Sequence, residues 1–231
     1  MKHLALTRKT GLSNFRRMAI ATWGPPDQPT VYGSQTVQMD AALTLVREGH
    51  VQSVLPLFVR AVALALRACP DANAALHRGQ SHLRTDITLA VLVEMGRDSL
   101  GWKRVERADG LDLGQVEAAL AQPAPGTAAH RRSWWARMRG PDPTAVSAQL
   151  IDAGAWGLDT AYLPLVPEGG APIVVSLGPV QKRPCIRDGQ VVSGHVAQVH
   201  ATFDHRFIDG FHASVLARTM REVLEDPARA G

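Results

Sequence analysis

The sequence predicts an α/β protein whose single sheet runs through both halves of the chain under a cover of helices. Strand-like and helix-like patterns alternate from residue 30 to 120, and the last third is rich in strand signals. That last third offers few helices of its own, so one shared sheet buries more apolar surface than two separate ones. The 231 residues, 45% hydrophobic and 20% charged, have a globular composition and fit one large domain or two small ones. The prolines, glycines and arginines of 122–143 invite a boundary there, but the shared sheet argues for one domain over 1–231.

A mildly amphipathic helix is expected from Leu12 to Trp23, ending at Gly24-Pro25-Pro26. Thr30 to Val37 is rich in strand formers, and Asp40 is placed to cap a short helix over Ala41 to Glu48. Val54 to Ala68 is apolar almost all round, which predicts a helix buried on most faces and stopped before Pro70. Ile87 to Val93 reads as an inner strand, and 111–120 as a helix. A basic amphipathic stretch follows from His130 to Arg139.

Ala171 to Leu177 is the next strand, and Asp188-Gly189 marks a tight hairpin. Alternation puts Ala197, Val199, Ala201 and Phe203 on one face, with Val196, Gln198, His200 and Thr202 on the other. After Gly210 a last helix carries Ala213, Leu216, Met220, Val223 and Leu224 at helical spacing.

Composition also narrows the function. The net charge is +4, but the basic residues are scattered, and 5 Trp, 2 Tyr and 5 Phe make a poor base-stacking platform, so no nucleic-acid partner is expected. No apolar run is long enough for a membrane helix, and the first residues lack the core of a secretory signal, which points to a cytoplasmic protein with no membrane partner. Cys69 and Cys185 make no disulfide framework and are expected to pack. His195, His200, His205 and His212 crowd one segment, but alternation turns His200 away from His205, and no metal is expected. Trp134-Trp135 reads as a packed pair or a docking point.

The chemistry concentrates in Asp204-His205-Arg206-Phe207-Ile208-Asp209-Gly210. A neutral imidazole at a strand end has a pKa near working pH, and a carboxylate four residues on can set its tautomer or stabilise its charged form. Gly210 lets the chain turn sharply after Asp209. Spacing alone leaves the alternative of a structural histidine.

This run resembles the DHRxxDG signature of the 2-oxoacid dehydrogenase acyltransferase catalytic domains, relatives of chloramphenicol acetyltransferase. Leu177 to Pro184, the Asp188-Gly189 hairpin, Arg17 to Ala21, Cys69 to Ala74 and Arg107-Ala108-Asp109 match the same family in the same order. The resemblance implies a two-layer sandwich with a large mixed sheet covered by helices, assembled as a homotrimer and in some cases a larger cage. It implies acyl transfer between coenzyme A and a dihydrolipoyl group, in channels between subunits. His205 becomes the base that deprotonates the attacking thiol, Asp209 helps hold the site, and Arg17 pairs with Asp209.

Three departures stand beside these matches. Where the family carries an oxyanion-binding serine, Gln149-Leu150-Ile151-Asp152-Ala153-Gly154 places Ile151, which has no donor. Ser99 to Val105 carries Trp102, Lys103 and Arg104 beside the family's carrier channel, to be read as an altered channel or as an edge strand protected by charge. The match begins at the catalytic region, without lipoyl or peripheral-subunit-binding domains, so a lipoyl group is expected from a partner protein. The departures keep open an impaired relative that serves as scaffold or regulatory subunit.

Overall fold

The computed structural model describes residues 29–77, 80–96, 99–122, 146–165, 171–187 and 189–230. The expected helix over Leu12 to Trp23, Arg17 within it, and the 130–139 stretch with Trp134-Trp135 lie outside these residues.

The strands are β1 (Thr30–Gln38), β2 (Ala74–His77), β3 (Gln80–Leu83), β4 (Leu89–Gly96), β5 (Ser99–Val105), β6 (Ala148–Asp152), β7 (Ile173–Leu177), β8 (Gln181–Arg187) and β9 (Gln190–Asp204). Seven of them form one sheet in the order β1-β9-β7-β6-β4-β5, with β8 paired to β9, while β2 and β3 form a separate hairpin. The β4–β6 and β6–β7 pairings are parallel and the rest of that sheet is antiparallel, so the sheet is mixed and spans both halves of the chain.

Among the described residues four α-helices accompany it: α1 (Asp40–Arg47), α2 (Leu55–Ala68), α3 (Leu113–Ala121) and α4 (Gly210–Glu225). The core lies between one sheet face and the helices. Leu89, Val91, Leu150, Val175, Val199 and Phe203 come from the strands, while Leu57, Phe58, Val62, Leu66, Leu216 and Met220 come from α2 and α4. Alternation along β9 therefore sorts its side chains as the sequence predicts. Helix α2 opens with Pro56, whose missing N–H is no loss in a first turn, and packs on α4. Its one interior cation, Arg60, is buried and donates to the carbonyls of Ala230 (2.9 and 2.6 Å) and Ala108 (2.9 Å). Two neutral carbonyls, through three hydrogen bonds, thereby satisfy a charge in the core.

Asp40 does not cap α1. The helix begins at Asp40, with Met39 as the uncapped N-cap residue. The Asp40 carboxylate instead accepts from the backbone N–H of His195 (3.2 Å) and meets its Nδ1 at 2.8 Å. The β1–β9 pairing brings this strand to the start of α1, and an imidazole partner competes with the orphan helix donors.

Strands β8 and β9 form a hairpin, with Arg187 opposite Gln190 and Gly189 at φ +76°, while Asp188 of the expected turn lies outside the described residues. β5 is the edge of the sheet on its side. The Lys103 ammonium donates to the Leu120 carbonyl at the end of α3, and Trp102 packs with Ala90, Val146 and Ala171 on the opposite face. Both free cysteines are buried. Cys69 lies in the core, and burial raises its thiol pKa.

Candidate active site

Strand β9 carries the motif to the end of the sheet. The Asp204 N–H donates to the Pro172 carbonyl at 2.9 Å, and the His205 N–H donates to the Pro29 carbonyl at 2.7 Å. The chain then turns. The Asp204 carbonyl accepts from the N–H groups of Phe207 and Ile208, both at 3.0 Å, and the Ile208 side chain is driven into the core. This places the Ile208 carbonyl 3.0 Å from Nδ1 of His205.

A carbonyl only accepts, so Nδ1 carries the hydrogen and Nε2 keeps its lone pair. The residue is exposed. His205 is thus an accessible imidazole with its proton-accepting nitrogen defined, an arrangement suited to general-base chemistry.

The partner that sets the tautomer is a backbone carbonyl, whereas the spacing suggested the Asp209 carboxylate. Asp209 forms no hydrogen bond with His205. It is the N-cap of α4, accepting from the N–H groups of Phe211 (2.9 Å) and His212 (3.1 Å) and facing His212 Nδ1 at 2.7 Å. The His212 N–H, aided by the ring and the Phe211 N–H, holds the carboxyl below its ordinary pKa against a smaller desolvation effect. Four orphan N–H groups at a helix start are a strong claim on a nearby carboxylate. The other ring nitrogen of His212 lies 3.8 Å from the Asp71 carboxylate.

Two further motif residues had no assigned role. Asp204 is buried and accepts from the N–H of Arg206 at 3.0 Å and from its guanidinium at 2.5, 2.9 and 3.1 Å. Spacing does not reveal such a local ion pair, nor a backbone acceptor such as Ile208.

Ile151 is 1% exposed and lies elsewhere. It pairs across β6–β7 with Ser176, which pairs across β7–β9 with His200, five residues before His205. At about 3.3 Å per residue and 4.8 Å per strand, Ile151 and His205 are separated by about 19 Å. Within one chain, position 151 therefore does not lie beside His205. The Ser147 hydroxyl accepts from the Thr88 N–H at 3.1 Å and donates to the Asp86 carbonyl at 3.4 Å. Among the described residues no group of three or more His, Cys, Asp or Glu side chains could hold a metal ion.

Comparison with known proteins places these features. The family model for 2-oxoacid dehydrogenases acyltransferase (catalytic domain) matches residues 27–231. The dihydrolipoyllysine-residue acetyltransferase component of the Zymomonas mobilis pyruvate dehydrogenase complex is 28% identical over 228 residues, covering 94% of this chain and 49% of that protein. The mitochondrial succinyltransferase component of the Saccharomyces cerevisiae 2-oxoglutarate dehydrogenase complex is 27% identical, covering 75% of this chain and 35% of that protein. This chain thus spans half or less of the curated relatives' length.

Among solved structures, a probable dihydrolipoamide acetyltransferase from Listeria monocytogenes superposes with a TM-score of 0.70 at 16% identity, covering 95% of this chain and 94% of that one. The Azotobacter vinelandii dihydrolipoamide acetyltransferase gives 0.70 at 20% identity, covering 88% and 84%. Chloramphenicol acetyltransferase gives 0.58 at 16% identity, covering 85% and 89%, so the three share this chain's fold. With the family model matched from residue 27 to residue 231, the chain belongs to the catalytic-domain family of the 2-oxoacid dehydrogenase acyltransferases.

Proposed function

We propose that this chain is an acyltransferase that moves an acyl group between coenzyme A and a dihydrolipoyl or other thiol acceptor, with His205 as general base. The observation that carries the reading is the exposed His205 ring, its Nδ1 committed to the Ile208 carbonyl and its Nε2 free to accept. In the reaction, Nε2 takes the proton of the incoming thiol, which at an ordinary pKa of about 8.5 is mostly protonated at neutral pH. The thiolate attacks the thioester carbonyl, and the tetrahedral intermediate collapses to expel the other carrier as a thiolate. That thiolate recovers the proton from the imidazolium, so atoms and charge balance over the cycle.

The about 19 Å between Ile151 and His205 favours a site formed between copies of the chain, consistent with a homotrimer. The named relatives are components of 2-oxoacid dehydrogenase complexes, and the Azotobacter vinelandii study addresses a serine, a histidine and an asparagine in its catalytic mechanism. The spacing of that histidine and asparagine is the spacing of His205 and Asp209, which supports the assignment of the pair. The lipoyl carrier comes from a partner protein, and the acyl-carrying coenzyme A is substrate; no resident metal takes part in this reading.

Ile151 favours a second reading, a trimeric scaffold or regulatory subunit with little catalysis of its own. Acetyl exchange between acetyl-CoA and dihydrolipoamide, measured for the native chain and His205→Ala, separates the two. Exchange lost in the variant supports the enzyme, whereas exchange equal in both or absent from both supports the scaffold. Light scattering that finds a monomer at high concentration overturns the site between copies.

A further inference from the structure

We infer that Asp204 and Arg206 are positioning residues for His205: their ion pair holds the 204–208 turn in the shape that keeps the Ile208 carbonyl on Nδ1. The inference rests on the reading of His205 as base and adds what keeps that base in one tautomer. A neutral imidazole has two tautomers and an exposed ring is free to rotate, so a side chain at a strand end has no intrinsic reason to present Nε2. Here the choice is made by one acceptor, the Ile208 carbonyl at 3.0 Å, three residues further on. Its position is only as fixed as the turn.

Three devices fix the turn. The Asp204 carbonyl receives the N–H groups of Phe207 and Ile208, and the Ile208 side chain is 2% exposed in the core. The third is the ion pair. The Asp204 side chain is 7% exposed and would be costly to bury alone. Arg206 reaches it through Nε, at 2.9 and 3.1 Å from its two oxygens, and through Nη2 at 2.5 Å, while its own N–H donates to Oδ1 at 3.0 Å. A planar fork of this kind fixes direction as well as distance. Arg206 also lies over the Phe207 ring at 5.9 Å, which ties it to the next residue of the turn. The pair thus spans the chain on both sides of His205. Asp209, in contrast, is committed to the start of α4.

The test uses the full chain labelled with 15N-histidine. Ring nitrogen shifts, assigned by the signal missing in His205→Ala, report which nitrogen carries the proton. The native protein is expected to show protonated Nδ1 and bare Nε2. Asp204→Asn and Arg206→Gln are expected to give a tautomer mixture and a kcat for acetyl exchange lowered by roughly 10²-fold, the size of a misplaced catalytic group, with KM for both carriers little changed. Arg206→Lys, which keeps a cation but loses the fork, is expected to fall between.

Variants that keep the native tautomer overturn the inference, as does a loss confined to KM, which would make Arg206 a substrate contact. If Asp204→Asn does not fold, Arg206→Gln at a half-exposed side chain carries the test alone. A native chain with no exchange activity defeats the acyltransferase reading, yet the nitrogen shifts still decide the positioning one.

Discussion

Ile151→Ser puts a hydroxyl where the chain has a buried apolar side chain, and its consequences divide between rate and stability. Ile151 is 1% exposed and faces the same side of the sheet as Ser176, its partner on β7. Removing its hydrocarbon costs what a large-to-small core substitution costs, about 2–5 kcal/mol. For a chain of this length each kcal/mol is worth about 2–4 °C, so calorimetry is expected to find the melting temperature lower by roughly 4–20 °C. The new hydroxyl has a neighbour in Ser176, whose own hydroxyl donates to the Ala161 carbonyl at 2.5 Å and keeps lone pairs to accept. The gain is in rate. One oxyanion donor is worth about 10²–10³-fold, so acetyl exchange per folded chain is expected to rise by that order. A destabilised variant with no gain in exchange would refute the reasoning that position 151 faces the reacting carbonyl of a neighbouring copy.

Three other outcomes follow from the geometry. Burial raises the pKa of Asp152 despite N–H donors from Ala155 and Gly154, so its folded state binds the proton more tightly than the unfolded state. Ionisation therefore costs stability as pH rises from the unfolded to the folded pKa, and Asp152→Asn should melt higher than the native chain at neutral pH, with the advantage gone below the ordinary carboxylate range. Gly154→Ala would set a Cβ 2.6 Å from Pro179 backbone atoms and 2.9 Å from the Gly178 carbonyl carbon, so denaturant unfolding should show a loss of about 1–3 kcal/mol. Arg60→Met leaves the buried Ala230 and Ala108 carbonyls without their donor, and thermal unfolding should report a loss of about 1–3 kcal/mol, the cost of unsatisfied neutral acceptors.

The fold was legible wherever one periodicity dominated. The all-round apolar run of α2, the alternation of β9 and the β8–β9 hairpin at Gly189 each satisfy a single physical demand, and each stands where the sequence puts it. Elements with competing demands were harder to read. Asp40 had two partners to choose from, the helix N–H groups and His195, and residues 155 positions apart cannot be paired from spacing. The site divides in the same way. The imidazole is visible as a residue type at a strand end, but its tautomer depends on a backbone carbonyl that every residue possesses. Asp209 was visible as a carboxylate but its place as the N-cap of α4 was not, since a glycine after an acidic residue signals a helix start as readily as a catalytic pair. The distance from Ile151 to His205 needs the strand order, which crosses from β6 through β7 to β9.

The most direct measurement is a crystal structure of the assembled protein soaked with coenzyme A. The acyl-transfer account predicts the pantetheine sulfur within about 3–3.5 Å of His205 Nε2, reached along a passage between two copies of the chain. A sulfur bound away from that nitrogen, or an imidazole closed off by packed side chains in the assembly, would contradict it.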